Sequence, residues 1–318
     1  MTQSEIELTF SAMNTEVKVV AFEPNSNSLL EVVRELFAES EQRFSRFIES
    51  SELSVLNRLG ELNPASDEMM SILESCERHF ERTDGVFDPA VLSALESAGY
   101  NRSFELMSLG GSSGESVPPE SLRLNDVLVI DRDHDRVLSK SRLDLGGIAK
   151  GWTVDRASEL MSTGCTGWLI DAGGDIFGGG ILPDYGGWVV GIDDPFLDGE
   201  LVDVVRLNNS AIATSSTVKR SWATDGERRH HIIDPNTHRS ASSGLAAVSV
   251  VAKNAELADV LAKCSVILGE SASLELLLEN DSVARFTRED GTTAVTENWQ
   301  SVLTDQSDFS PTESRILV

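Results

Sequence analysis

Residues 144–155 read Asp-Leu-Gly-Gly-Ile-Ala-Lys-Gly-Trp-Thr-Val-Asp, placing an acid, a glycine pair and a lysine within seven positions. The apolar residues Val154, Ala157, Leu160 and Met161 recur at helical spacing after Lys150, so Gly146 and Gly147 form the turn leading into a helix. Such a turn leaves backbone N–H groups facing outward. Its glycines permit close approach, and the helix dipole and Lys150 both favour an anion. This chemistry suits a nucleotide pyrophosphate. Asp144 beside it suits a group that accepts from a ligand donor or helps to hold a bridging cation. The same residues also satisfy a plainer description, a tight turn followed by a solvated lysine.

Three further clusters carry polar chemistry. Asp171-Ala-Gly-Gly-Asp175 follows a short apolar stretch, which puts its glycines at a strand end where ligands approach backbone, or in a turn whose Asp175 bonds local N–H groups. Ala213-Thr-Ser-Ser-Thr217 with Lys219 and Arg220, then His230-His231-Ile-Ile-Asp234-Pro235, gathers hydroxyls, cations and two imidazoles. Neighbouring strand residues point to opposite faces, so only one histidine enters a common site, and His231 is expected there. Glu256, Asp259 and Lys263 fall at i, i+3 and i+7 of a late helix, on one face. An exposed Asp259–Lys263 pair would contribute only about 0.3–0.5 kcal/mol. The apolar residues around it, Val260, Leu261, Val266, Ile267 and Leu268, argue for burial and a ligand-facing role.

The elements that position these clusters follow from patterning. Alternation over residues 6–22 predicts a hairpin turning at Met13-Asn-Thr15, with Val17, Val19 and Ala21 on one face. Helical periodicity marks 28–47, 69–80, 255–268 and 271–278, and short strands are expected at 167–170, 188–192, 201–207 and 246–252. Residues 101–126, with Gly-Gly-Ser-Ser-Gly and Pro-Pro, read as a long insertion. Hairpins mixed among helices predict an α+β fold with mixed or antiparallel sheets, in one domain over 1–300 with a polar, loosely held tail at 301–318.

Composition bounds the function. The 52 acidic and 26 basic residues give a net charge of -26, which excludes a general binder of nucleic acid or anionic membrane, so any anion site is local. Few of the cations are lysine, and Lys150 and Lys263 both lie inside motifs. Three widely spaced cysteines show no metal spacing. No run approaches the ~18 apolar residues of a membrane helix, and the first residues lack a signal-peptide pattern, so a cytoplasmic protein without membrane insertion is expected.

Taken in order, eight blocks resemble the ApbE family of FAD:protein FMN transferases. They are Met13-Asn-Thr15, Phe44-Ser-Arg-Phe47 with Ser51-Glu-Leu-Ser and Asn57, Gly85-Val-Phe-Asp88-Pro89, Asp144-Leu-Gly-Gly-Ile-Ala-Lys150-Gly, Asp171-Ala-Gly-Gly-Asp175, Ala213-Thr-Ser-Ser, His231-Ile-Ile-Asp-Pro235 and Ala258-Asp259. The resemblance implies an α+β enzyme that moves FMN from FAD to a threonine or serine hydroxyl of an acceptor flavoprotein and releases AMP. It implies that Met13, Phe47, Ala90, Val91, Leu92, Asp144, Lys150 and a residue near His231 or Ile232 surround FAD, with Phe47 stacking on a flat ring. Asp144 or Asp175 would accept the hydroxyl proton. An FAD-binding protein without transfer and an FAD hydrolase giving FMN and AMP are the alternatives.

The resemblance also implies magnesium, held by a carbonyl at Gly147 and by the Asp and Thr of an Asp-x-x-x-Thr sequence. Here that sequence reads Asp259-Val-Leu-Ala-Lys263. A protonated lysine has donors and no acceptor and cannot ligate a cation. Two arrangements follow. In one, the Lys263 ammonium takes the metal's place, pairs with Asp259 and neutralises the pyrophosphate. In the other, magnesium stays on Asp259, Gly147 and Glu256 while Lys263 turns away.

Overall fold

Alternation at the start of the chain becomes a hairpin of β1 (Glu5–Ala12) and β2 (Thr15–Phe22), paired antiparallel from Glu5↔Phe22 to Ala12↔Thr15. Met13 and Asn14 turn the corner at φ 53° and 57°, the pair of positive φ angles of a type I′ two-residue hairpin loop. The structure is a computed structural model describing residues 5–22, 27–101, 122–182, 186–224, 227–304 and 316–317. The larger part of the expected insertion at 101–126 lies outside the described residues. No helix among the described residues is long and apolar enough to cross a membrane.

The hairpin begins an eight-stranded sheet. It continues through β3 (Gly167–Ala172), β4 (Ile176–Gly180), β5 (Ser210–Ser216), β6 (Leu245–Ala252), β7 (Val283–Arg288) and β8 (Thr293–Val295). Each strand pairs antiparallel with the next, so spatial order follows chain order. Two-residue periodicity then assigns side chains to two faces. Val17, Val19, Ala21, Ile170, Ala213 and Val250 pack toward the helices. Val20, Leu169, Ile212 and Val251 enter a second core with Trp188, Val205 and Trp299. Burial on both faces explains why β6, Leu-Ala-Ala-Val-Ser-Val-Val-Ala, is apolar almost throughout.

The helical layer contains α1 (Asn27–Phe44), α2 (Glu52–Leu59), α3 (Asp67–Arg82), α4 (Ala149–Ser162), α5 (Ala255–Leu268) and α6 (Glu270–Glu279). With the antiparallel sheet this is the α+β class. The first helix ends three residues short of the expected Phe47, because the chain turns there: Ser51 Oγ donates to the Ser45 carbonyl at 2.6 Å and caps α2 by accepting from Ser54 N. Residues 301–304, expected to be loosely held, are tied to the strand Leu201–Leu207, where Arg206 N donates to the Val302 carbonyl and Thr304 N to that of Val204. Ile316 and Leu317 pair parallel with the strand Trp188–Asp193.

The junction of α4 and α5 positions the site. A Cβ on Gly151 would lie 2.7 Å from the Ala255 carbonyl oxygen and 2.8 Å from Glu256 Cα, so only glycine allows the two helices to approach this closely. One turn on, Asp155 accepts from Ala255 N at 2.8 Å and Glu256 N at 3.0 Å, capping α5 alongside Asn254. The 144–155 segment thus fixes the start of the helix that carries Asp259 and Lys263. Gly151→Ala is expected to lower unfolding free energy by about 1–3 kcal/mol, the range for overpacking a tight contact. Urea denaturation measures this, and an unchanged midpoint would show that the helices do not meet there.

Candidate functional site

A cleft of about 1110 Å³, counting its open mouth, lies where the hairpin tip, the loop after α1, residues 86–91, the turn before α4, residues 231–233 and α5 converge. Each wall is set by local hydrogen bonding. Asn57 Nδ2 donates to the Leu143 carbonyl at 2.8 Å and its Oδ1 accepts from Leu143 N at 2.7 Å, while Asp144 N donates to the Pro89 carbonyl at 2.8 Å. Two of the quoted blocks therefore serve to hold a third. Asp88 accepts from Ala90 N at 2.8 Å and from Arg123 Nε at 2.9 Å, which shapes the turn carrying Val91.

Asp144 faces the cleft with both oxygens engaged: Arg46 Nε donates to Oδ2 at 2.7 Å and Gly146 N to Oδ1 at 3.0 Å. Arg46 also donates to the Tyr100 carbonyl at 2.8 Å, and its guanidinium lies 4.2 Å from the Phe47 ring centre and 4.8 Å from that of Tyr100. Tyr100 stacks on Trp222 at 5.5 Å, so Phe47 belongs to an aromatic rim that is itself supported. Composition and spacing do not single out Arg46 or Tyr100, both of which line the cleft, whereas Arg220 belongs to the polar cluster expected from the sequence. For Arg46 the signal was present, since it sits inside the Ser-Arg-Phe block.

The turn before α4 closes part of the expected cradle of free amides. Gly146 N is taken by Asp144, and Ile148 N and Ala149 N both donate to the Leu145 carbonyl, so the turn satisfies these donors itself. Positive charge comes instead from side chains: Arg46, Lys150, Arg220 and Lys263 all line the cleft. Lys150 Nζ donates to Asp175 Oδ2 and, at 3.3 Å, to the Ala172 carbonyl. Asp175 is buried behind it. Burial and the nearby Asp259 push its carboxyl up to about 6 against the pull of Lys150. Burial likewise raises Asp171 to about 6.

Of the other expected residues, Met13, Val91, His231, Ile232 and Gly147 line the cleft, whereas Ala90 and Leu92 are buried behind the wall formed by Pro89, Val91 and Leu95. The short helical segment Pro89–Val91 turns their side chains inward. His230 points away, its Nε2 3.0 Å from the Ala241 carbonyl, which leaves His231 to the cleft. Glu256 does not join Asp259 and Lys263. Its Oε1 accepts from Ser75 Oγ and lies 2.7 Å from His79 Nε2, because α5 turns that first-turn residue toward α3. The three residues span two turns, and only the last two reach one site.

The chain matches the ApbE family over residues 13–286. It belongs to the ApbE family. An FAD:protein FMN transferase of Vibrio cholerae is 28% identical over 80% of this chain and 78% of its own length. One from Treponema pallidum is 28% identical over 80% and 75%. The crystal structure of the ApbE protein of Thermotoga maritima superposes with a TM-score of 0.83 at 27% identity, covering 95% of this chain and all (100%) of that one.

His231 supplies a test of this ApbE cleft. Burial, then Arg220 and Lys263, lowers its pKa from 6.5 to about 3. The unfolded chain therefore protonates first as pH falls. The contribution of neutral His231 to stability is whole above pH 6.5 and is lost as pH falls toward about 3. Nitrogen NMR of the ring at about pH 5 is expected to report a neutral imidazole. An imidazolium at that pH would contradict the burial and the neighbouring cations.

Proposed function

We propose that this protein transfers FMN from FAD to a hydroxyl group of an acceptor protein and releases AMP. The observation that carries this reading is the gathering of Arg46, Lys150, Arg220 and Lys263 around one cleft in a chain of net charge -26. Such a local excess of donors matches a pyrophosphate. The names of the relatives, FAD:protein FMN transferases, support the same reading. Phe47 and Tyr100 at the rim offer faces for a flat ring.

In the reaction the acceptor oxygen forms a bond to the FMN phosphorus as the bond from that phosphorus to the AMP oxygen breaks. The hydroxyl loses its proton, and AMP leaves carrying the electron pair. Catalysis then consists of holding the two groups in line and stabilising the charge on the phosphoryl oxygens, which the cleft cations supply. Of the two candidate bases, Asp144 lines the cleft whereas Asp175 lies behind Lys150, so the reading gives the proton to Asp144, oriented by Arg46.

Incubation with FAD and a candidate acceptor, followed by intact-mass spectrometry and assay of AMP, is expected to yield an FMN adduct and equimolar AMP. AMP and free FMN without an adduct would identify a hydrolase instead. Lys150→Ala is expected to weaken FAD binding by about tenfold or more, the scale of a hydrogen bond to a charged group. Unchanged affinity would remove the pyrophosphate from this wall.

A further inference from the structure

The ApbE pattern calls for a divalent cation at the Gly147 carbonyl and Asp259, and this chain has a lysine within reach of both. Lys263 Nζ donates to the Gly147 carbonyl at 2.9 Å and to Asp259 Oδ1 at 3.1 Å. Magnesium binds oxygen at about 2.0–2.1 Å, so an ion on these two atoms would occupy the space of the ammonium. Two cations cannot share it. The residues present do not fit magnesium.

Charge balance points the same way. Behind the cleft, Lys150 pairs with Asp175 and Lys263 with Asp259, and each acid is almost fully buried. Two cations and two anions cancel. With a hydroxyl residue at 263 the same group would carry a net negative charge and repel an anion until a metal ion entered. An ammonium has three donors, of which Gly147 and Asp259 take two, and Lys263 itself lines the cleft. The third donor remains for a ligand.

We infer that the Lys263 ammonium is the resident counter-cation of this site, and that the protein binds the pyrophosphate of FAD without a divalent metal ion. This rests on the FAD reading above. Calorimetric titration of the intact protein with FAD, in EDTA and again in magnesium, is expected to give affinities within about twofold of each other, since no exchangeable ion contributes. Lys263→Thr is expected to lose about tenfold or more in EDTA and to recover in magnesium, as the charge-assisted bond is lost and then replaced. Lys263→Met, with neither charge nor ligand, is expected to lose affinity without recovery, and circular dichroism verifies that both variants fold. Wild-type affinity that rises about tenfold or more with magnesium would overturn the inference while leaving FAD binding intact. Failure to bind FAD under either condition would overturn the FAD reading itself and the inference with it.

Discussion

Lys263 bridges the Gly147 carbonyl and Asp259, and through them it joins the turn before α4 to the body of α5. Because Gly151 lets the two helices touch and Asp155 caps α5, the bridge is presented from a rigid junction rather than from a loop. A shift of α5 along its axis would move Lys263 and Ile267 relative to the cleft. It would also break the Glu256 contacts to Ser75 and His79 that anchor the other side of the helix. The blocks of the sequence are therefore mechanically coupled. Some bear ligand-facing side chains, and others, such as Asn57, Asp88 and Asp155, hold those side chains in place.

Electrostatics imposes the second constraint. A chain of charge -26 repels phosphates over most of its surface, so an anion site needs cations concentrated in a concave, weakly hydrated place. Buried cations in turn need partners. Removing one member of a buried ion pair typically costs about 3–5 kcal/mol, because the other charge is left uncompensated. Lys150 with Asp175, Lys263 with Asp259 and Arg46 with Asp144 meet that requirement while keeping a cation in contact with the cleft. Neutral His231 completes the wall without adding charge to an already cationic neighbourhood.

Much of this was legible in the sequence. Two-residue alternation located the opening hairpin, three-and-a-half-residue periodicity located α5 at 255–268, and the motif order identified most of the cleft. What was not legible depended on side-chain direction and on contacts distant in sequence. Glu256 shares a helical stripe with Asp259 on paper, yet the packing of α3 turns it away. The amides of Gly146, Ile148 and Ala149 look free until the turn closes on itself through Asp144 Oδ1 and the Leu145 carbonyl. Arg46 sits inside the Ser-Arg-Phe block, but nothing local in that block shows what its guanidinium meets. Its function emerges only when the chain brings Asp144 and Tyr100 to it. The small sheet of Glu61–Leu62, Leu128–Asp131 and Arg136–Ser139 went unpredicted because its strands are too short to show a period.

The cation that completes the proposed pyrophosphate site is the point on which the chemistry turns, and the most direct measurement is a crystal structure of the FAD complex grown in magnesium. Lys263 Nζ is expected to keep its bonds to the Gly147 carbonyl and Asp259 and to donate its remaining proton to a pyrophosphate oxygen. An octahedral magnesium ion between the Gly147 carbonyl and Asp259, with Lys263 displaced from both, would contradict it.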